Sequence, residues 1–116
     1  PYNRAPSKEE LETLVFQKAV EKISQSIYSD FCVESLTKSL GYGRTYISTI
    51  FKKHSGLSII EYYTSLKIEE AKRLLKENSL SVSEIAETLN FTNQYYFSRV
   101  FKKVEGTSPS DYKRRG

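Results

Sequence analysis

Apolar residues in this chain recur three and four positions apart, and nowhere do they alternate with polar ones as in a strand. Leu11, Leu14, Val15, Ala19, Val20, Ile23 and Ile27 mark one face of a helix predicted over about residues 8–28. Ser7-Lys8-Glu9-Glu10 opens it as a capping box. The serine hydroxyl accepts from an early backbone N–H, and the glutamate three residues on reaches back to the cap. Ser58-Ile59-Ile60-Glu61 and Ser81-Val82-Ser83-Glu84 repeat the device and open helices over about 59–77 and 82–89. Tyr62, Leu66, Ala71, Leu74 and Leu75 form the inward face of the longer one. Three further helices are predicted over about 33–40, 44–54 and 93–104, ending at Gly41, Gly56 and Gly106. Asn78-Ser79 and Asn90 close two others, asparagine tolerating the left-handed backbone better than most residues. Ser108 and Pro109 open a last helix, where the missing proline N–H is harmless. The expected fold is all-α, with seven helices.

The pattern also repeats. At a shift of 49 residues Val33, Leu36, Leu40 and Tyr42 fall on Val82, Ile85, Leu89 and Phe91. At a shift of 50, Tyr46, Ile47, Ser48 and Phe51-Lys52-Lys53 fall on Tyr96, Phe97, Ser98 and Phe101-Lys102-Lys103. Gly56, Ser58 and Tyr62 then fall on Gly106, Ser108 and Tyr112. One extra residue in the second turn accounts for the change of register. Each copy reads as a short helix, a tight turn and a second helix whose exposed face is polar, the helix-turn-helix pattern. Residues 1–6 read as linker, 7–57 as the first unit, 58–78 as a joining helix and 79–116 as the second unit. About 18 residues of joining helix at ~1.5 Å each make a rod of roughly 27 Å. One turn of B-DNA is about 34 Å, so two reading helices in successive major grooves are expected.

Charge supports a polyanionic partner. The net charge is +4, with −1 over residues 1–30 and +5 over residues 31–116. No apolar run approaches the ~20 residues that span a bilayer, so no membrane association is expected. A single cysteine excludes an internal disulfide and fits a reducing cytoplasm. Cys32 aligns with the cap Ser81 and is expected to be a half-buried structural residue. His54 has no second histidine or cysteine with which to hold a metal, and is expected at a helix end. There is no nucleophile–base pair, paired-acid constellation or phosphate-cradling glycine loop. Neither an enzyme nor a cofactor is expected.

The second copy contains Ser-Glu-Ile-Ala-Glu-Thr-Leu-Asn-Phe (83–91), Tyr-Phe-Ser-Arg-Val-Phe-Lys-Lys (96–103), Gly106 and Ser-Pro-Ser-Asp-Tyr-Lys-Arg (108–114). The first contains Tyr-Ile-Ser-Thr-Ile-Phe-Lys-Lys (46–53), followed by Leu-Lys-Ile-Glu-Glu-Ala (66–71). Over about residues 20–115 this closely resembles the AraC/XylS family of bacterial transcription regulators. Asn90 stands where the family usually has glycine, and Lys67 and Lys113 where it usually has arginine. The resemblance implies the DNA-reading half of a regulator acting on double-stranded DNA, with helices 3 and 6 as readers. It also implies contact with RNA polymerase and a separate N-terminal effector, dimerisation or receiver domain, to which residues 1–6 would be the linker.

Candidate base-contacting residues are Arg44, Thr45, Ser48 and Thr49 in the first copy. In the second they are Asn93, Gln94, Tyr95, Ser98 and Arg99. Arg99 matches the paired acceptors of guanine and Gln94 those of adenine, while Tyr95 either meets a thymine methyl or caps its helix. Candidate phosphate contacts are Lys52, Lys53, Lys102, Lys103, Ser108, Lys113 and Arg114. Lysine pairs at helix ends are also favoured by the helix dipole alone, so one lysine of each pair is expected near DNA and the other in solvent. Tyr46, Tyr96, Phe51, Phe97 and Phe101 are expected in the core. A helical protein-interaction module is the competing reading. RNA binding is disfavoured because no aromatic platform for unstacked bases is evident.

Overall fold

The computed structural model describes residues 4–115, which form seven α-helices and no strand. They are α1 (Lys8–Ser24), α2 (Val33–Leu40), α3 (Arg44–Ser55), α4 (Ile59–Glu77), α5 (Val82–Thr88), α6 (Gln94–Glu105) and α7 (Pro109–Arg115). The chain divides into two compact units. The first comprises the chain up to Gln25 together with Phe31–Tyr62; the second comprises Ser26–Asp30 and the chain from Tyr63 onward.

All three capping boxes form. Ser7, Ser58 and Ser81 Oγ each accept from the glutamate N–H three residues on at 3.1 Å. The carboxylates of Glu10, Glu61 and Glu84 accept in return at 3.0, 2.8 and 2.8 Å. These bonds satisfy backbone donors that the helix itself leaves unpaired. Ser108 Oγ likewise accepts from Asp111 N at 3.1 Å, and Pro109 is buried at the first position of α7.

In the first unit α1 packs on α2 and α3. Val15, Ala19, Ile23, Leu36, Ile47, Ile50 and Phe51 are each at most 3% exposed. Phe51 meets Phe16 at 5.0 Å and the edge of Tyr62 at 5.2 Å. In the second unit the same role falls to α4, whose Ile68, Ala71, Leu74 and Leu75 share a core with Ile85, Ala86, Leu89, Phe97 and Phe101. Phe101 meets Tyr112 edge-on at 5.6 Å, matching the Phe51–Tyr62 pair. The sequence repeat is therefore a repeat of packing. Beyond its first residues, α4 is core for the second unit.

Four expectations need correction. α1 ends at Ser24 and does not reach residue 28. The chain turns there, with Ser29 N donating to Ser26 O, and the carbonyls of Ser26 and Ser29 accept from the Tyr63 hydroxyl at 3.4 and 2.9 Å. A tertiary hydrogen bond thus overrides the helical periodicity that continues to Ile27. Leu14 is 47% exposed, because the face of α1 that meets its neighbours is centred on Val15, Ala19 and Ile23. Tyr96 is 46% exposed and Tyr46 only half-buried, since the buried stripes of their helices run through Ile47, Ile50 and Phe51 and through Phe97 and Phe101. Cys32 is exposed: as N-cap of α2 its Sγ accepts from Ser35 N at 3.4 Å, which holds the thiol at the helix end, outside the core.

Candidate nucleic-acid interface

Both second helices are amphipathic in one register. On α3 the buried residues are Ile47, Ile50 and Phe51; on α6 they are Phe97 and Phe101. The opposite stripe holds Arg44, Thr45, Ser48, Thr49 and Lys52 on α3, and Gln94, Tyr95, Ser98, Arg99 and Lys102 on α6. Every member is exposed except Ser48, Gln94 and Ser98, which are half-exposed, and Tyr95 projects furthest, at 73% exposed. Positions i, i+1, i+4, i+5 and i+8 lie on one helical face. Each candidate on α3 thus has its counterpart 50 residues on along α6. Asn93 is the N-cap of α6, its Oδ1 accepting from Tyr96 N at 2.8 Å. Gly43, the N-cap of α3, offers no side-chain cap.

The candidate cations divide into two classes. Arg44, Lys52, Arg99, Lys102 and Lys103 enter no ion pair among the described residues. Lys53 is held by Glu12 at 2.9 Å. That hydrogen bond raises the lysine pKa and lowers that of the carboxyl. Lys113 Nζ donates to the Leu80 carbonyl at 3.2 Å, and Arg114 pairs with Asp111, whose carboxyl it holds below its usual range. Ser108 is engaged as a cap. Lys53, Lys113, Arg114 and Ser108 therefore already serve the fold.

The sequence reading missed one aromatic surface. Tyr42, 38% exposed, stacks on Tyr46 at 5.1 Å beside the α2–α3 turn, and Phe91 leans on Tyr96 at 6.2 Å beside the α5–α6 turn. Their recurrence at a near-constant shift was the available signal, but it reads equally as core. His54 lies in the last turn of α3, stacked on Phe16 at 5.2 Å. No described helix is long and apolar enough to cross a membrane, and the described residues contain no cluster of His, Cys, Asp or Glu suited to a metal.

A family model described as a helix-turn-helix domain matches residues 36–115. An uncharacterised HTH-type transcriptional regulator, YtdP of Bacillus subtilis, is 37% identical over 93 residues, covering 80% of this chain and 12% of that protein. The Msm operon regulatory protein of Streptococcus mutans is 34% identical over 103 residues, covering 88% of this chain and 37% of that protein. The chain thus spans well under half the length of these relatives. Among solved structures, the C-terminal domain of AraT, a response regulator from Geobacillus stearothermophilus, superposes with a TM-score of 0.83 at 33% identity, covering 88% of this chain and 85% of that one. With its tandem units, its repeated polar stripes and these relatives, the chain belongs to the AraC/XylS family of transcription regulators, as a helix-turn-helix DNA-binding domain.

Proposed function

We propose that the domain reads a specific double-stranded sequence by laying α3 and α6 in successive major grooves. The observation that carries this reading is the polar stripe repeated in register on both helices, flanked by cations that no carboxylate among the described residues neutralises. A major groove accepts one helix, and base edges there are read by side chains of the types found on these stripes. Arg99 and Gln94 supply paired donors and acceptors, while Arg44, Thr45, Ser48, Thr49, Tyr95 and Ser98 complete the two faces. Phosphate contact falls first to Lys52, Lys102 and Lys103, the candidate lysines with no ion pair among the described residues. Because the relatives are much longer, the domain acts as part of a larger regulator whose other portion senses an effector or dimerises. Contact with RNA polymerase follows from the family resemblance.

Selection of bound duplexes from a random pool tests this. One sequence should be enriched, and its affinity should fall with salt at a log–log slope near −0.9 for each of about five phosphate contacts. A pool that yields no consensus, or binding indifferent to salt, would overturn the reading.

A further inference from the structure

The α5–α6 corner is built differently from its counterpart in the first unit. There, Gly41 takes φ +80° with nothing within 4 Å of the place a side chain would start. Asn90 occupies the same register 49 residues on, at φ 61°. A side chain at such a φ is uncommon, and here it is supported from two sides. Asn90 Nδ2 donates to Asp30 Oδ1 at 2.6 Å, and the Asn90 carbonyl accepts from Lys67 Nζ at 3.4 Å. The same ammonium sits 4.4 Å from the centre of the Phe91 ring and 4.9 Å from that of Tyr63. Lys67 is only 5% exposed, yet its charge is placed where two rings and a carbonyl replace water. Burial pushes its pKa down and Asp30 opposes that.

The corner also sets the direction of α6. The helix has 12 residues, so it extends about 18 Å from its cap. A rotation of about 10° at the corner would carry Arg99, some 9 Å along, through roughly 1.5 Å, enough to break paired hydrogen bonds to a base. Asp30 and Lys67 lie outside α6 and its polar stripe. We infer that Asp30 and Lys67 are positioning residues that clamp the Asn90–Phe91 corner and so aim Gln94, Ser98 and Arg99 at the bases. The inference rests on the DNA-reading role proposed above.

The test is the affinity of the whole 116-residue chain for its selected duplex and for a scrambled duplex at one salt concentration, with thermal melting of each variant as the folding control. Asp30→Ala should weaken the selected duplex about five- to tenfold, within the range of one typical net hydrogen bond. The scrambled duplex should hold its affinity or gain slightly, because a negative charge has left the protein. Asp30→Asn makes the same charge change but keeps an acceptor for Asn90 Nδ2, and should restore most of the loss. Lys67→Met should lower the selected-to-scrambled ratio, and Lys67→Arg should preserve it. Equal changes on both duplexes, tighter specific binding by Asp30→Ala, or an Asp30→Asn variant as weak as Asp30→Ala would each overturn the assignment. A wild-type chain that selects no sequence fails earlier, on the reading itself, and removes the proposal with it.

Discussion

Lys53 Nζ lies 2.9 Å from Glu12 Oε1 and ties the end of α3 to α1. Glu12 is 7% exposed, a carboxylate in a nearly closed site with one cation as its main partner. The second unit makes the same tie with the charges reversed: Lys72 of α4 meets Glu105 of α6 at 3.1 Å. The folded carboxyl of Glu12 therefore titrates below its ordinary value of 4.5. A lowered carboxyl contributes stability above the unfolded value and loses it as pH falls through the folded one. Glu12→Gln should melt below the wild type at pH 7, and the gap should narrow as pH falls below the ordinary carboxyl value of 4.5. Thermal melts across pH 3–7 check this, and a gap independent of pH would refute the ionic tie.

Arg99 and Lys102 should separate base reading from phosphate contact. Arg99→Ala should weaken the selected duplex by ~1–3 kcal/mol and relax preference at one base pair. Lys102→Ala should weaken every duplex about equally and reduce the salt slope by about one contact. Titrations on selected and scrambled DNA supply both numbers. If Arg99→Ala lowers both affinities by one factor, Arg99 meets phosphate and reads no base.

Phe51 and Phe101 are 0% exposed, and each contacts the edge of a tyrosine from the following helix. Truncating either to Ala removes one of the largest fully buried side chains of its half of the repeat. Each should destabilise by about 3–5 kcal/mol, as loss of buried contacts adds to the residual cavity. Denaturant unfolding measures it; a loss below about 1 kcal/mol would contradict the burial of these rings.

The two units follow one another in a single chain with unlike reading stripes, so the DNA site should be asymmetric, with two contact patches about 10 base pairs apart. Inserting about five base pairs between them turns one patch to the far side of the duplex. Affinity should then drop to that of one unit. Footprinting of the original and lengthened sites decides. Unchanged affinity, or a palindromic minimal site holding two chains, would show that the units read DNA separately.

Helix number, capping boxes and the repeat were legible in the sequence because each arises from local rules: periodicity, side-chain oxygens beside unpaired N–H groups, and residues that tolerate positive φ. The stripe on α3 and α6 was legible for the same reason, since once the apolar face is known the polar face follows. Side-chain partners across helices were not. Lys52 and Lys53 are adjacent and chemically identical in sequence, yet only Lys53 has Glu12, 41 positions earlier, within reach. Lys102 and Lys103 repeat the dipeptide, and neither gains an ion pair among the described residues. Likewise Ile27 continued the helical spacing, but Tyr63 took the carbonyls of Ser26 and Ser29 and the chain turned instead. Asn90 was legible as a helix end that tolerates the left-handed backbone, and only folding brought Asp30 and Lys67 to it. The sequence by itself determined which faces are apolar, where helices start and where all but α1 stop, and that the unit occurs twice, because caps and periodicity act locally. Which cations remain unpaired among the described residues, and what meets the corner before α6, depend on groups tens of residues apart, and only the tertiary structure decided them.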